Sequence, residues 1–294
     1  MPHAASVITA PDTDHLPAYW QFHAAVTRAQ LMAWLPSGRH LIVDVSGPRG
    51  PGAELAARAG HTVVRVSGVS PGPRGNGGAV PPGGGPRGSG GKGFPPGSGG
   101  SGGSSPRVST GRSGGSSPRA STGRIIPVIA DSSRLSFLAD GCADDVIADD
   151  RALSMHLAAE TIIAEIARVL RPSGRVLACV DSLVLGMAVL ADQHHWAHLI
   201  DLPHADVVLV PWPDGSITRC YGPDQVRELF SGAGLTVNWI RSRTVLCEST
   251  VTHLLRRDPN SLPQLVRAEL AARSDDSLGA QLVISARKPR RPHG

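Results

Sequence analysis

The stretch RHLIVDVSGPRGPGAELAARAG, from Arg39 to Gly60, decides the fold of this chain. It opens with a short apolar run at 41–43 that ends on Asp44. A small glycine-bearing turn follows, and an alanine-rich segment then predicts a helix that ends at Gly60. A strand, a tight glycine turn and a helix form the opening unit of nucleotide-binding α/β domains, in which backbone N–H groups approach a ligand. The stretch therefore predicts a domain of that kind.

The basic charge of the chain comes from one low-complexity segment. Residues 68–124 are rich in Gly, Ser and Pro, contain the tandem repeat SGGSSPRVSTGR and SGGSSPRASTGR, and hold basic residues without any acid. Because such a segment buries little apolar area, we predict a disordered insertion that is tolerated as an expanded surface loop. The formal net charge of +5 therefore gives little support for nucleic-acid binding. An RNA-attracting or modified arm is the weaker alternative.

Composition limits the class of protein. The 294 residues, 40% of them hydrophobic, suffice for one large α/β domain or two small ones. The four cysteines lie far apart without a C-x-x-C pair, which argues against a metal knuckle or a disulfide framework and fits a reducing compartment. The sequence shows no signal-peptide pattern, and no apolar run approaches the ~18 to 20 residues of a membrane span. We expect a soluble, cytoplasmic protein.

Apolar periodicity divides the chain into alternating strands and helices. Strands are predicted at 40–45, 61–66, 125–130, 146–148, 175–180, 235–240 and 282–286, and a hairpin at 205–221. Helices are predicted at 15–35, 53–59, 157–170, 183–200 and 223–231, and two more within 248–273; a Pro-Ser-Gly break at 172–174 follows the third. This alternation predicts a doubly wound α/β sheet with ligands at the carboxyl ends of its strands. The predicted divisions are an N-terminal helical cap (1–38), the α/β domain (39–67 and 125–288) and a disordered tail (289–294).

Three segments carry a family resemblance. They read DSSRLSFLADGCADDVIADDRAL from 131, AEIARVLRPSGRVLA from 164 and PDQVRELFSGAGLTV from 223. In this order they resemble the class I S-adenosylmethionine-dependent methyltransferases that act on small molecules. The resemblance covers about 39–67 and 125–286. It implies a Rossmann-like, seven-stranded sheet, S-adenosylmethionine as the cofactor, and direct methyl transfer to a small-molecule acceptor that the sequence does not identify.

The resemblance also implies a set of site residues. Asp44 would orient the glycine turn, Ser46, Gly47 and Gly50 would lie beside the methionine part, and Ser67 stands where the family has a ribose-binding acid. Asp131 and Ser132 match the adenine edge, and the residues after the fourth strand lie where methyl acceptors usually sit. The complete set grouped with the cofactor site is Asp44, Ser46, Gly47, Gly50, Ser67, Asp131, Ser132, Asp149, Asp150 and Arg151.

Structural roles compete with these assignments. Asp44 would satisfy backbone N–H groups of its own turn, and Asp131 would cap the end of its strand by accepting hydrogen bonds. Asp149, Asp150 and Asp181 would present carboxylates to a divalent cation, although three acids on a solvated rim is the favoured interpretation, so no metal is assigned. Asp144 and Asp145 begin the fourth strand, and we therefore expect them at the opposite end of the sheet in structural roles.

Histidines and aromatic residues supply further candidates. His156, just after the fourth strand, is the candidate general base that takes a proton from an acceptor hydroxyl; a helix cap or a packing residue is the alternative. His194, His195 and Trp196 would line a substrate pocket or belong to a solvated helix face. Tyr19, Trp20 and His23 would form a lid over the cofactor or simply be buried.

Departures from the family pattern keep other functions open. The glycine run of the family reads Asp44-Val45-Ser46-Gly47-Pro48-Arg49-Gly50 here, and Pro48 removes a backbone donor. The ribose acid and the helix between the second and third strands are also missing. The main alternative is therefore a catalytically silent, methyltransferase-like binding module. A nicotinamide oxidoreductase is less favoured because the G-x-G-x-x-G fingerprint is absent.

Overall fold

A computed structural model describes residues 17–47, 50–68, 123–202, 205, 207–212, 215–272 and 279–290. All of these belong to one compact unit. Residues 1–16 of the predicted helical cap, most of the glycine-rich insertion (69–122) and the last four residues lie outside the described residues, as do Pro48 and Arg49. Within the described ranges, no helix is long and apolar enough to cross a membrane.

Within the described ranges, nine strands form one sheet. They are β1 (Leu41–Asp44), β2 (Thr62–Ser67), β3 (Arg124–Ile129), β4 (Ala143–Ala148), β5 (Leu170–Ser182), β6 (Val208–Pro211), β7 (Ile217–Tyr221), β8 (Thr236–Ser242) and β9 (Gln281–Arg287). The first five are parallel in the order β3-β2-β1-β4-β5, β9 runs antiparallel beside β5, and β8 runs antiparallel beside β9. These seven strands confirm the predicted seven-stranded, doubly wound sheet.

Eight α-helices of the described part of the chain pack around the sheet. They are α1 (Ala18–Trp34), α2 (Gly52–Arg58), α3 (Ala159–Val169), α4 (Leu183–Asp192), α5 (Trp196–Asp201), α6 (Pro223–Gly232), α7 (Glu248–Arg257) and α8 (Leu262–Ala271), with a 3-10 turn at Pro259–Ser261. The predicted single helix at 183–200 is thus two helices. The two helices predicted within 248–273 are confirmed as α7 and α8.

The predicted hairpin is also present, and its place in the sheet is unusual. Strands β6 and β7 pair antiparallel, and β7 is attached in parallel to the last two residues of β5, Asp181 and Ser182. The hairpin therefore extends the sheet at its carboxyl edge, where Asp181 pairs with Cys220 of β7 and also with Gln281 of β9. This places Trp212, at the tip of β6, near the polar ends of the central strands.

The predicted Pro-Ser-Gly break between α3 and β5 is wrong. The strand begins at Leu170, directly after α3, and includes the Pro-Ser-Gly triplet predicted as a turn. Leu170 pairs with Ala143, and the register then shifts before Arg175 pairs with Asp145. Gly174 permits this path, because a Cβ there would lie 2.8 Å from the Asp144 carbonyl oxygen. The strand is thus irregular rather than interrupted.

Apolar side chains fill both faces of the sheet. One face packs α3 and α6 against the strands through Ile162, Ile166 and Phe230. The other packs α1 and α2 through Trp34, Leu31 and several alanines of α2. A smaller cluster joins Phe22 and Val26 of α1 to α7 and α8. Because α1 crosses the sheet on one side and contacts α7 and α8 at its start, it lies close to the carboxyl ends of the central strands.

Candidate functional site

Aspartates stand at the carboxyl ends of three neighbouring parallel strands. Asp44 ends β1, Asp149 follows β4, and Asp181 is the penultimate residue of β5. All three side chains are buried, with at most 2% of their surface exposed. A buried carboxylate is costly unless cations or hydrogen-bond donors surround it. The partners of each aspartate therefore indicate what this end of the sheet is built to hold.

Asp44 has a partner for only one of its oxygens. Its Oδ1 accepts a hydrogen bond from the backbone N–H of Ser46 at 2.9 Å, as the structural alternative from the sequence expects. Its Oδ2 is buried and has no hydrogen-bond partner among the described residues. Burial, as the main cause, raises the pKa of this carboxyl to about 6. The group still ionises at neutral pH and has one oxygen available.

The turn after Asp44 is tightly built on one side and open on the other. Gly47 has a left-handed φ of +87°, and a Cβ at this position would meet nothing within 4 Å. A Cβ on Gly50 would lie 2.8 Å from the Cβ of Ser46, and one on Gly52 would lie 2.8 Å from Asp44 Oδ2. Gly50 and Gly52 therefore allow close packing, whereas Gly47 leaves backbone facing open space.

Asp149 is held from two sides. Its backbone N–H donates to Ser46 Oγ at 2.8 Å, which ties the end of β4 to the turn after β1. Its Oδ1 forms an ion pair with Arg243, which follows β8 and is only 2% exposed. Its Oδ2 is buried without a hydrogen-bond partner among the described residues. The favoured interpretation of a solvated acidic rim is wrong for Asp149 and Asp181, because both are buried.

Sequence reasoning missed Arg243. The residue follows a strand in a segment without a motif, and only the fold brings it to Asp149, 94 positions away along the chain. Its Nη1 donates to Gln30 Oε1 on α1 at 3.2 Å, while Gln30 Nε2 donates to its backbone carbonyl at 3.1 Å. Its Nε is buried without a partner among the described residues. An isolated arginine has no sequence signal that marks it as buried.

Helix α1 covers this polar cluster. His23 Nε2 lies 3.2 Å from Gln281 Oε1, and burial followed by the nearby Arg243 lowers the pKa of His23 to about 4. Tyr19 Oη lies 3.1 Å from the hydroxyl oxygen of Thr244, within hydrogen-bond distance. Trp20 contacts the rings of Tyr19 and His23, with ring centroids 5.5 and 5.2 Å away. The three residues of the suggested lid are thus together, and a neutral imidazole lies beside the buried ion pair.

Asp181 is neutralised by Arg151. The guanidinium donates to both carboxylate oxygens, with Nε–Oδ1 at 2.9 Å and Nη2–Oδ2 at 2.7 Å. The same guanidinium carbon lies 5.0 Å from the centre of the Trp212 ring. Asp150 and Arg151 both have left-handed φ values, +53° and +62°, which non-glycine residues seldom adopt. Backbone strain of this kind clusters at functional sites.

The suggested adenine-edge residues meet the suggested base. Ser132 Oγ lies 3.2 Å from His156 Nε2, so the two are hydrogen-bonded. Asp131 is exposed, and its Oδ1 accepts hydrogen bonds from the N–H of Ser133 at 2.8 Å and its hydroxyl at 2.6 Å. These contacts lower the pKa of Asp131. His156 therefore lies at the end of β3, on the side expected for adenine.

The end of β2 provides a hydroxyl in place of a carboxylate. Ser67 is its last residue, and the Ser67 carbonyl oxygen accepts a hydrogen bond from the N–H of Ala130 at 3.1 Å. Arg65, two residues earlier, forms an ion pair with Glu54 in the first turn of α2. Within the described ranges, no three His, Cys, Asp or Glu side chains are placed to hold a metal ion.

Asp144 and Asp145 lie at the opposite end of the sheet, as predicted. Asp144 Oδ2 accepts a hydrogen bond from the Leu41 N–H at 2.6 Å, and Asp145 contacts His40 Nδ1 at 2.7 Å and Arg175 Nε at 2.9 Å. These contacts join the amino-terminal ends of β1, β4 and β5. The structural role predicted for both residues is confirmed.

Known proteins resemble this chain in structure but not in sequence. No protein-family model and no curated protein sequence matches it. A solved structure of a putative S-adenosylmethionine-dependent methyltransferase from Listeria monocytogenes superposes with a TM-score of 0.53 and 13% identity, covering 92% of this chain and 100% of the other. The fold is that of S-adenosylmethionine-dependent methyltransferases.

Two further methyltransferase structures align less closely. One from Methanosarcina mazei has a TM-score of 0.49 and 13% identity, covering 89% of this chain and 98% of that one. The 1,6-didemethyltoxoflavin-N1-methyltransferase of Burkholderia thailandensis, solved with S-adenosylhomocysteine, has a TM-score of 0.47 and 18% identity, covering 92% of this chain and 81% of that one. At these identities the likeness concerns the methyltransferase fold alone.

Proposed function

We propose that this chain binds S-adenosylmethionine at the carboxyl ends of β1 and β4 and transfers its methyl group to a small molecule. The observation that carries the proposal is the buried Oδ2 of Asp44, which has no hydrogen-bond partner among the described residues, before a turn in which the Cβ position of Gly47 faces open space. A buried carboxylate oxygen without a donor is rare in folded proteins and calls for a missing partner. A cationic ligand beside the turn would supply that partner.

The charges around the turn support the same proposal. Three buried carboxylates, those of Asp44, Asp149 and Asp181, share two guanidinium groups, those of Arg243 and Arg151. The nearby His23 remains neutral at physiological pH, because its pKa is lowered. One negative charge is therefore left without a compensating cation in a dry environment, where electrostatic attraction is strong. The sulfonium and ammonium groups of S-adenosylmethionine match that charge.

The fit is good at the methionine end and weaker at the ribose end. Asp44, Ser46 and Gly47 would hold the methionine part, and Ser132 would face the adenine. Ser67 offers one hydroxyl where a carboxylate would accept two hydrogen bonds from the ribose. We therefore expect a modest affinity for the cofactor.

Direct methyl transfer depends more on aligning the acceptor with the methyl group than on catalytic side chains. When bound, the cofactor would supply an activated methyl group for in-line displacement. The chain would position the acceptor near Asp150 and Arg151 and exclude water beneath α1. His156 remains the candidate base. It would break its hydrogen bond with Ser132 and then accept a proton from the methyl acceptor.

The two buried ion pairs favour a second candidate, a binding module without catalysis. Arg243 with Asp149 and Arg151 with Asp181 occupy the ends of β4 and β5, beside the place where an acceptor would sit. If both pairs persist when the cofactor binds, the fold would hold the cofactor, and neither Asp149 nor Asp181 would be free to orient an acceptor.

Calorimetry with S-adenosylmethionine and S-adenosylhomocysteine tests the proposal. We expect the wild-type protein to bind, Asp44→Asn to lose at least about tenfold in affinity, and the matched control Asp144→Asn to bind like wild type. Binding should also weaken below pH 6, where Asp44 takes up a proton. No heat of binding at millimolar cofactor would refute both candidates. Binding without transfer of a labelled methyl group to any component of a small-molecule extract would favour the silent module.

A further inference from the structure

We propose that a basic groove at the amino-terminal end of β5 binds a phosphate-bearing ligand. The groove encloses about 530 Å³, within the usual range for small-molecule sites. Its polar lining comes from Ser173, Arg175, Thr236, Asn238, Arg287 and Arg290, and none of the residues that line it is acidic. The site lies at the opposite end of β5 from Asp181, about 20 Å away at six strand residues. It is therefore separate from the proposed cofactor site.

The sheet register places two arginines side by side in this groove. Arg175 on β5 pairs directly with Arg287 on β9, and Arg287 pairs on its other side with Thr236 on β8. Directly opposite residues on antiparallel strands point to the same face, and like charges in that position destabilise the sheet. Two adjacent guanidinium groups thus form a site for an anion that would relieve their repulsion.

Only one of these arginines is neutralised by the protein. Arg175 donates to Asp145 and lies over the Trp34 ring, with 4.8 Å from the guanidinium carbon to the ring centre, yet its Nη2 is buried without a partner among the described residues. Arg287 is exposed and forms no ion pair with the described acids. The charge of Arg287 is therefore available to a ligand.

The remaining donors are held in place by irregular backbone. Ser173 has a left-handed φ of +68°, its N–H donates to the Lys288 carbonyl at 2.9 Å, and its hydroxyl accepts from Arg290 Nε at 3.1 Å. Asn238 lies in a bulge between Val237 and Trp239, where β8 has one residue more than β9. Bulges of this kind redirect a side chain at binding sites. Lys288 is used elsewhere, because its Nζ donates to the Ala167 and Leu170 carbonyls at the end of α3.

The donor chemistry favours phosphate over other anions. Guanidinium forks donate two parallel hydrogen bonds to phosphate oxygens, and hydroxyl and amide groups supply further donors around them. A volume of about 530 Å³ exceeds what a lone small anion fills, so the ligand we infer carries its phosphate on a larger group. A free phosphate ester of nucleotide size and the backbone of a nucleic acid share this chemistry.

Titration of the full-length protein with inorganic pyrophosphate at low salt tests the groove. We expect saturable binding, a loss of about tenfold or more in Arg287→Ala, and no change in Arg257→Ala, an exposed arginine on α7 that serves as the matched control. Thermal unfolding of Arg257→Ala should match wild type. Arg287→Ala should be at least as stable as wild type, since it loses no acidic partner among the described residues and its repulsion with Arg175 is removed. Absence of binding at millimolar pyrophosphate, or equal losses in the two variants, would overturn the proposal.

Two competitors then distinguish the sources of the phosphate. A nucleoside triphosphate that displaces pyrophosphate from wild type, but binds Arg287→Ala tenfold less tightly, identifies a free phosphate ester. A single-stranded RNA whose binding depends on Arg287, without any nucleotide binding, identifies a nucleic-acid backbone. RNA that binds wild type and Arg287→Ala equally would do so through the basic segment at 69–122, and together with absent pyrophosphate binding it would refute the groove.

Discussion

The two ends of the central sheet use the same residue types in opposite ways. At the amino-terminal end, Asp145 is buried, but its partners His40 and Arg175 keep 23% and 33% of their side chains exposed. At the carboxyl end, Asp149 and Arg243 are both 2% exposed, and Asp44 has no cation of its own. Water therefore solvates the partners of Asp145 at the amino-terminal end and is excluded from the buried charges at the carboxyl end.

This difference separates a structural role from a functional one. Charges that retain contact with water tie strands together at little cost. A buried charge with an unpartnered atom lowers the free energy of unfolding by several kcal/mol unless a ligand or another group compensates it. Such groups persist mainly at binding sites. Among the described residues, the unpartnered atoms at the carboxyl end include Asp44 Oδ2, Asp149 Oδ2 and Arg243 Nε.

Removal of Arg243 should give the largest change in stability. Arg243→Leu leaves the Asp149 carboxylate buried without a cation, and we expect a loss of about 3–5 kcal/mol in the free energy of unfolding. Urea unfolding at pH 7 measures it.

The matched control is the double variant Arg243→Leu/Asp149→Leu. Because an apolar pair of similar size removes both charges, we expect the double variant to be more stable than Arg243→Leu alone. If the single substitution costs less than about 1 kcal/mol, water reaches Asp149 and the carboxyl end is not dry.

The pH dependence of stability isolates Asp44. Its pKa rises from 3.8 to about 6 on folding, so the folded state binds the proton more tightly than the unfolded state does. The resulting stabilisation is complete below pH 4 and is lost as the pH rises through 6. Asp44→Asn removes this term, so its stability relative to wild type should improve by on the order of 2–3 kcal/mol between pH 4 and pH 7. Urea unfolding at both pH values measures the difference; an equal offset at the two pH values would contradict it.

His23 should show the opposite slope over nearly the same range. Its pKa falls from 6.5 to about 4 on folding, so the unfolded state binds the proton first and stability is lost as the pH falls below 6.5. In wild type the two slopes partly cancel. We expect His23→Gln to gain stability on acidification relative to wild type, while Asp44→Asn loses it. Parallel pH profiles for the two variants would show that α1 does not cover the cluster.

A smaller effect is expected from the turn that holds Asp44. In Gly52→Ala the new Cβ would lie 2.8 Å from Asp44 Oδ2 and 3.0 Å from Ile147 Cγ2, and we expect a loss of about 1–2 kcal/mol from the forced shift. Gly232→Ala, in the last turn of α6, meets nothing within 4 Å and serves as the control. Thermal unfolding should separate the two. If Gly52→Ala is as stable as its control, the turn adapts easily and does not fix Asp44.

The fold was predictable because its signals are local. Apolar runs ending on polar residues located β1, β2, β4 and β9, and the resemblance in 131–182 supplied their order. The paired acids at the start of β4 were also assigned correctly, since strand direction alone places them at the opposite end from Asp44. The start of β5 was wrong, because Leu170 pairs with Ala143 through a register shift that no periodicity records, and the helix predicted at 183–200 is two helices, α4 and α5.

The site was predictable only in part, because its charges pair across the fold. Asp44 and Asp149 end strands and are visible in the sequence, but their burial and the identity of their partners are not. Arg243 reaches Asp149 only after β8 and β9 add to the sheet. The groove at Arg287 depends in the same way on register, since Arg175 lies 112 positions earlier in the chain.

We expect the smallest change in stability from a substitution at the amino-terminal end of the sheet. In Asp145→Asn the amide oxygen still accepts from Arg175 Nε, the amide NH2 faces His40 Nδ1 and can donate to a neutral imidazole, and water solvates the exposed part of Arg175. We expect a loss of about 1 kcal/mol that shrinks further at high salt, because exposed charges are screened. Unfolding at low and high ionic strength measures it beside Arg243→Leu, whose loss should not depend on salt. If Asp145→Asn proves as costly as Arg243→Leu, exposure of the partner does not set the cost of a buried aspartate, and the distinction between the two ends fails.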